Sequence, residues 1–208
     1  LLKKMSSIAG TYQKDNKPLR QEEFTPMLDG LHHWDADDRG VMIQDPVAFG
    51  HLMLYNTPES RYEKLPYRDS ETGLIITADA RIDNRHELLE KLNIPVHKDQ
   101  PTPDSQLILE CFKKYGEKCP AHLVGAFAFA IYDPASDQLF CVRDHMGFKP
   151  FYYSNSSGLF LFATEIKGIK AHPAVTLTMN EIFLADALST LRSEKHQTFF
   201  NEIRRLPP

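Results

Sequence analysis

The sequence predicts an α+β fold in which antiparallel sheets are covered by helices, and three observations predict it. Two apolar hairpins follow one another between Ala126 and Phe162. Two segments outside them place apolar residues on one helical face: Phe24, Met27, Leu28 and Leu31, then Leu107, Ile108, Cys111, Phe112 and Tyr115. Strand-helix-strand alternation is rare, which argues against a doubly wound parallel sheet.

In chain order, Ile8 to Tyr12 reads as a short strand ended by the polar run Gln13 to Pro18. The Phe24–Leu31 helix follows, closed by His32, His33 and Trp34. Val41 to Gln44 and Val47 to Leu54 read as strands around the turn pair Asp45-Pro46. Residues 57–70 are polar with two prolines and read as a surface loop. Leu74 to Ala78 is a buried strand, after which Asn84 stands where it could cap a short helix burying Leu88, Leu89 and Leu92. Residues 95–103 read as a loop, and Asp104 stands at the start of the second amphipathic helix.

The first hairpin pairs Ala126–Tyr132 with Leu139–Val142 across Asp133-Pro134-Ala135-Ser136-Asp137. The second pairs Phe151–Tyr153 with Leu159–Phe162 across a Ser/Asn/Gly loop, and a helix begins at Glu165. Runs so short and apolar suit strands buried on both faces, and the aromatic density is core packing rather than a base-stacking platform.

Composition excludes several functions. The 208 residues suffice for one sizeable core, and 42% apolar with 25% charged residues is ordinary for a globular chain. A net charge of −4 without a basic stripe argues against nucleic acid as a partner. Cys111, Cys119 and Cys141 have no zinc spacing and read as reduced thiols. His32, His33 and His51 match no common metal site. No run is long enough for a membrane span, and Leu1-Leu2-Lys3-Lys4 lacks the core of a signal peptide. No membrane partner and a cytoplasmic location are therefore expected.

Several stretches carry a family resemblance: Met5-Ser6-Ser7-Ile8-Ala9-Gly10, Asp79-Ala80-Arg81-Ile82-Asp83-Asn84, Asp104-Ser105, Gly125 to Ala130, Arg143 to Tyr153 and Phe162 to Lys167. In this order they resemble the N-terminal class II glutamine amidotransferase-like domain of the asparagine synthetase family. The resemblance implies a four-layer αββα sandwich of stacked antiparallel sheets, the fold of N-terminal nucleophile hydrolases. It divides the chain into a lead or expression remnant at 1–4, the amidotransferase-like domain at 5–195, and the start of a linker at 196–208. Arg143, Asp144, His145 and Lys149 belong to a family signature and read as an ion-paired loop without a catalytic role.

In working members, an N-terminal cysteine hydrolyses glutamine with its own α-amino group as base, and ammonia passes to an ATP-using synthetase domain. Ser6 stands at the cysteine's place, with five residues ahead of it. Met53 stands where an arginine would clamp the glutamine carboxylate, and a thioether cannot donate that bidentate bond. Asp79 and Ala80 stand where an asparagine and a glycine amide would form the oxyanion hole, and a carboxylate there would repel the developing charge. Asp104 matches the aspartate that binds the glutamine amino group, and it equally suits a helix start.

The resemblance thus implies a substrate pocket at Asp104, Asp79, Ala80 and Met53 around Ser6 that has lost glutamine hydrolysis. The expected parent is an amide-forming ligase, of which β-lactam synthetases and lasso-peptide cyclases are relatives that take no nitrogen from glutamine. No S-G-G-x-D-S pyrophosphate loop occurs, so no cofactor is expected in these residues. ATP and Mg are implied for a synthetase domain that would be the main partner. Glutamine, or a peptide or amino-acid-derived substrate, completes the expected partners, and a homodimer is compatible with the sequence. Two rival readings remain: an active glutaminase whose cysteine was replaced or whose lead is trimmed, and a non-catalytic interaction domain.

Overall fold

The computed structural model describes residues 6–15, 17–33, 35–96, 100–156, 158–189 and 195–208. Leu1 to Met5 and Trp34, named above, lie outside the described residues.

Two antiparallel sheets stack face to face, with helices on both outer faces. The strands are β1 (Ser7–Gln13), β2 (Asp38–Gln44), β3 (Val47–Met53), β4 (Tyr67–Arg68), β5 (Ile75–Ile82), β6 (Gly125–Asp133), β7 (Gln138–Arg143), β8 (Tyr152–Ser156), β9 (Leu159–Ala163) and β10 (Arg204–Arg205). The helices are α1 (Gln21–Leu31), α2 (Arg85–Leu92), α3 (Asp104–Tyr115), α4 (Ile166–Lys170) and α5 (Glu181–Leu188). One sheet runs β10-β8-β9-β1-β3-β2 and the other β4-β5-β6-β7. This is the expected four-layer αββα arrangement.

Strand periodicity sorts β1 between two cores. Ala9 faces α1, where Phe24, Met27, Leu28 and Leu31 are fully buried. Each such side chain contributes about 1.5–3 kcal/mol of burial. Ile8 faces the middle layer with Val47, Phe49, Ile75, Phe151 and Phe162. The third core packs α2 and α3 on the smaller sheet through Leu88, Ile108, Cys111, Phe127 and Phe129. Gly10 lets the middle layer close, since a Cβ there would stand 2.2 Å from the Phe162 ring.

Several expectations need correction. The two hairpins do not make one sheet: β6–β7 lies in the four-stranded sheet and β8–β9 in the six-stranded one. Their connection, residues 144–151, therefore crosses between sheets. The strand expected to end at Ala78 continues to Ile82, because β6 pairs with it along its whole length. Residues 57–70 are not simply a surface loop. They hold a 3-10 turn at Glu59–Tyr62 and β4, and bury Ser60, Glu63, Leu65 and Asp69. Asn84 precedes α2 but does not cap it; its side chain bonds Val124 N, His122 O and Glu87 instead.

The stretch at 196–208 contributes one short strand to the six-stranded sheet. Arg204 and Arg205 pair with Tyr153 and Tyr152, and Ile203 is fully buried. Among the described residues, no helix is long and apolar enough to cross a membrane.

Candidate functional site

Ser6, Met53, Asp79, Ala80 and Asp104 line one small cavity, with His51, Asn56, Ser60 and Glu63 among its other walls. Backbone geometry explains the gathering. Ser6 immediately precedes β1, whose Ser7 pairs with Leu52, so the head of β1 lies beside Met53 at the end of β3. Asp79 and Ala80 lie on β5, which carries them under the same point from the facing sheet. Asp104 is the first residue of α3, and its carboxylate accepts from Ile82 N at 3.3 Å.

The Ser6 hydroxyl is already engaged. Its Oγ accepts from Leu54 N at 3.1 Å and donates to the Met53 sulfur at 3.8 Å. Opposite it, Lys149 Nζ donates to Asp79 Oδ1 at 2.7 Å, while Asp79 Oδ2 is buried with no partner among the described residues. Burial raises the Asp79 carboxyl, and Lys149 opposes that rise.

Lys149 reaches Asp79 because of how its loop is pinned. The buried Asp144 carboxylate accepts from the backbone amides of Met146, Phe148 and Lys149 at 2.9–3.2 Å. Arg143 donates to the carbonyls of Gly147, Lys149 and Leu206. The signature charges are thus not paired with one another, as the sequence reading had them. Arg143 and Asp144 hold the backbone of the inter-sheet crossing, and Lys149 reaches Asp79, which lines the cavity.

The Asp104 carboxylate is likewise occupied. Arg85 donates to it and to Thr102 O, with Glu59 3.7 Å away on its other side. Burial raises Asp104 to about 6 despite Arg85. Glu63 accepts from both Ser105 N and Ser105 Oγ, and burial lifts it to about 7. Burial lowers His51 to about 4, so its ring is neutral, and its Nε2 has no partner among the described residues.

The cavity holds about 20 Å³, room for a water molecule. Small-molecule sites run to roughly 300–1,000 Å³. Among the described residues no group of three or more His, Cys, Asp and Glu could hold a metal ion.

Sequence reasoning missed Lys149, Glu63, Arg85 and His51 as members of this site. Lys149 carried a signal, a cation in a signature segment, but its partner lies seventy positions away. Glu63 sits in a stretch whose polarity disguised its burial.

Residues 5–208 match the family model described as a glutamine amidotransferase domain. The chain is 32% identical over 197 residues to asparagine synthetase [glutamine-hydrolyzing] 3 of Bacillus subtilis, covering 92% of this chain and 32% of that protein. It is 32% identical over 176 residues to putative asparagine synthetase [glutamine-hydrolyzing] 2 of Methanocaldococcus jannaschii, covering 74% and 33%. The chain spans about a third of the length of these relatives. The glutamine phosphoribosylpyrophosphate amidotransferase of Bacillus subtilis superposes with a TM-score of 0.63 at 14% identity, covering 79% of this chain and 43% of that one. That likeness concerns the fold.

Proposed function

The chain belongs to the glutamine amidotransferase domain family, and from that premise we propose that its own pocket no longer hydrolyses glutamine. Hydrolysis needs a nucleophile free to attack an amide carbonyl, donors for the oxyanion, and a clamp for the amino-acid backbone. Here the hydroxyl at the nucleophile's place is bonded to Met53 and Leu54. A carboxylate, Asp79, faces it, and Asp104 is held by Arg85. The observation that carries the reading is the closure of this site to about 20 Å³ around those groups, which leaves no volume for an amino acid.

In this reading the domain is the amidotransferase-like part of an asparagine-synthetase-related ligase that activates a carboxylate with ATP. Its nitrogen comes from an amine of the substrate, as in β-lactam synthetases and lasso-peptide cyclases. The domain then serves as a structural partner of the synthetase domain.

Glutamate release from glutamine tests the first part, measured on the chain and on Ser6→Cys made the N-terminal residue. No release above background is expected from either, because the closed cavity, Met53 and Asp79 remain. Rapid hydrolysis by Ser6→Cys alone would show that the pocket opens and that only the nucleophile was lost. Amine-dependent pyrophosphate release by the complete ligase, with glutamine unable to substitute for the amine, tests the second part.

A further inference from the structure

Helix α5 is apolar at six of its eight positions, yet none of the eight is buried. A helix apolar on all sides is ordinarily enclosed by protein. Helix α1 shows the usual case, with its apolar residues on one face and that face fully buried. In α5 the half-buried Phe183 packs edge-on against Phe199, their ring centroids 4.9 Å apart. The opposite face carries Ile182, Ala185 and Leu188, whose three-residue spacing makes one continuous ridge. Ile182 is 73% exposed and Leu188 78%. Exposed apolar ridges of this kind mark contacts with other protein.

The helix is firmly rooted at its first turn. Asn180 caps it by accepting from Phe183 N at 3.0 Å, and Asn180 N donates to Phe199 O at 2.9 Å. Met179 bridges Phe200, and Asn201 donates to the carbonyls of Thr178 and Met179. The ridge is therefore held in place before any partner arrives, which lowers the cost of docking.

Size decides which partner suits it. Eight residues make a helix about 12 Å long, with an exposed face on the order of 100–150 Å². A stable complex between separate proteins buries roughly 800 Å² on each side. A tethered partner needs less, because a short linker holds it at an effective concentration near the millimolar range. The root of α5 rests on residues 199–201, which lead into β10 and Pro208. Eight extended residues reach at most about 30 Å, so a polypeptide continuing past Pro208 starts within that distance of the root. About two-thirds of each of the two asparagine synthetases lies outside the part this chain matches. The exposed Glu181 and the net charge of −4 disfavour an anionic membrane surface.

We propose that α5 is a docking helix within the complete protein, its Ile182–Ala185–Leu188 ridge covered by an apolar face of a second domain of the same polypeptide. The assignment rests on the domain being part of a ligase, and it names a surface through which the two parts meet.

Hydrogen exchange of the amides of residues 184–189 is compared between the 208-residue chain and the complete protein. They should exchange at least about tenfold more slowly in the complete protein. The double variant Ile182→Glu with Leu188→Lys complements the helix dipole and should leave unfolding of the 208-residue chain unchanged, since both side chains are exposed there. In the complete protein it should return α5 to the exchange rate of the 208-residue chain. Should the double variant disturb the helix, Ala185→Arg, a good helix former in the middle of the ridge, serves instead. Equal exchange in the two proteins, with amine-dependent pyrophosphate release intact, overturns the docking and leaves the ligase reading standing. So does slow exchange that neither variant changes. A complete protein without a second folded domain overturns both. Dimerisation of the 208-residue chain at about 0.1 mM, lost in the double variant, makes a second copy the occupant and overturns the proposal. Binding to phosphatidylcholine–phosphatidylserine vesicles, lost in the same way, makes it a lipid surface and also overturns it.

Discussion

Removing the Lys149 ammonium while leaving Asp79 in place should destabilise the fold by about 3–4 kcal/mol near neutral pH. The two groups stand 2.7 Å apart with side-chain exposures of 12% and 5%, so water screens little of their attraction. In Lys149→Met the carboxylate must either stay ionised in an apolar site or take up a proton. The second course sets a ceiling on the loss. Holding a proton near pH 7 on a group whose unfolded value is 3.8 costs about 1.4 kcal/mol per pH unit, or roughly 4 kcal/mol. Near pH 5 the same ceiling falls to roughly 2 kcal/mol.

The sign follows from proton binding. An acid whose folded value is raised contributes most below its unfolded value, and that contribution is lost as pH rises towards the folded one. Lys149→Met should therefore be most harmful at neutral pH and recover on acidification. Guanidinium unfolding across the range from about pH 5 to pH 8 measures this. The double variant Asp79→Asn with Lys149→Met removes both charges and should lie within about 1–2 kcal/mol of the parent. A Lys149→Met loss under about 1 kcal/mol near pH 7, or a loss independent of pH, would refute the buried pair and the pocket geometry built on it.

Other consequences can be checked in the same way. Glu63 is raised from 4.5 to about 7, so the parent should lose about 2–3 kcal/mol of stability relative to Glu63→Gln as pH rises through that window; parallel pH profiles of the two would contradict it. His51 is lowered from 6.5 to about 4, so its contribution is present above 6.5 and lost as pH falls towards 4. Imidazole nitrogen shifts should show a neutral ring near pH 5, and a ring titrating close to 6.5 would place His51 in water. Gly10→Ala forces a Cβ to 2.2 Å from the Phe162 ring and should cost about 1–3 kcal/mol in guanidinium unfolding.

Local structure was legible wherever one period dominated. The face Phe24, Met27, Leu28, Leu31 is buried as its spacing demands, and both hairpins form. Their division between two sheets was not legible, because an apolar strand looks alike in either. The same limit hid β5 beyond Ala78: Asp79 and Arg81 break the apolar pattern, yet β6 supplies hydrogen bonds regardless of side chain. Ser6, Met53, Asp79, Ala80 and Asp104 could be gathered through family likeness, though not their partners. Lys149 and Asp79 meet only because one loop crosses between sheets, and Arg85 meets Asp104 only because α2 packs on α3. Long-range pairs of this kind leave no periodic trace.

The Arg143 guanidinium holds three carbonyls at once, two in the loop that carries Lys149 and one at Leu206. A gene cut placed after Lys170, where the hairpins and α4 are complete, would remove β10 and the Leu206 carbonyl with it. The cut protein would keep every residue of the Ser6 pocket and still lose a clasp on the loop that supplies its cation. For anyone trimming this domain, the boundary that matters to the pocket is Leu206.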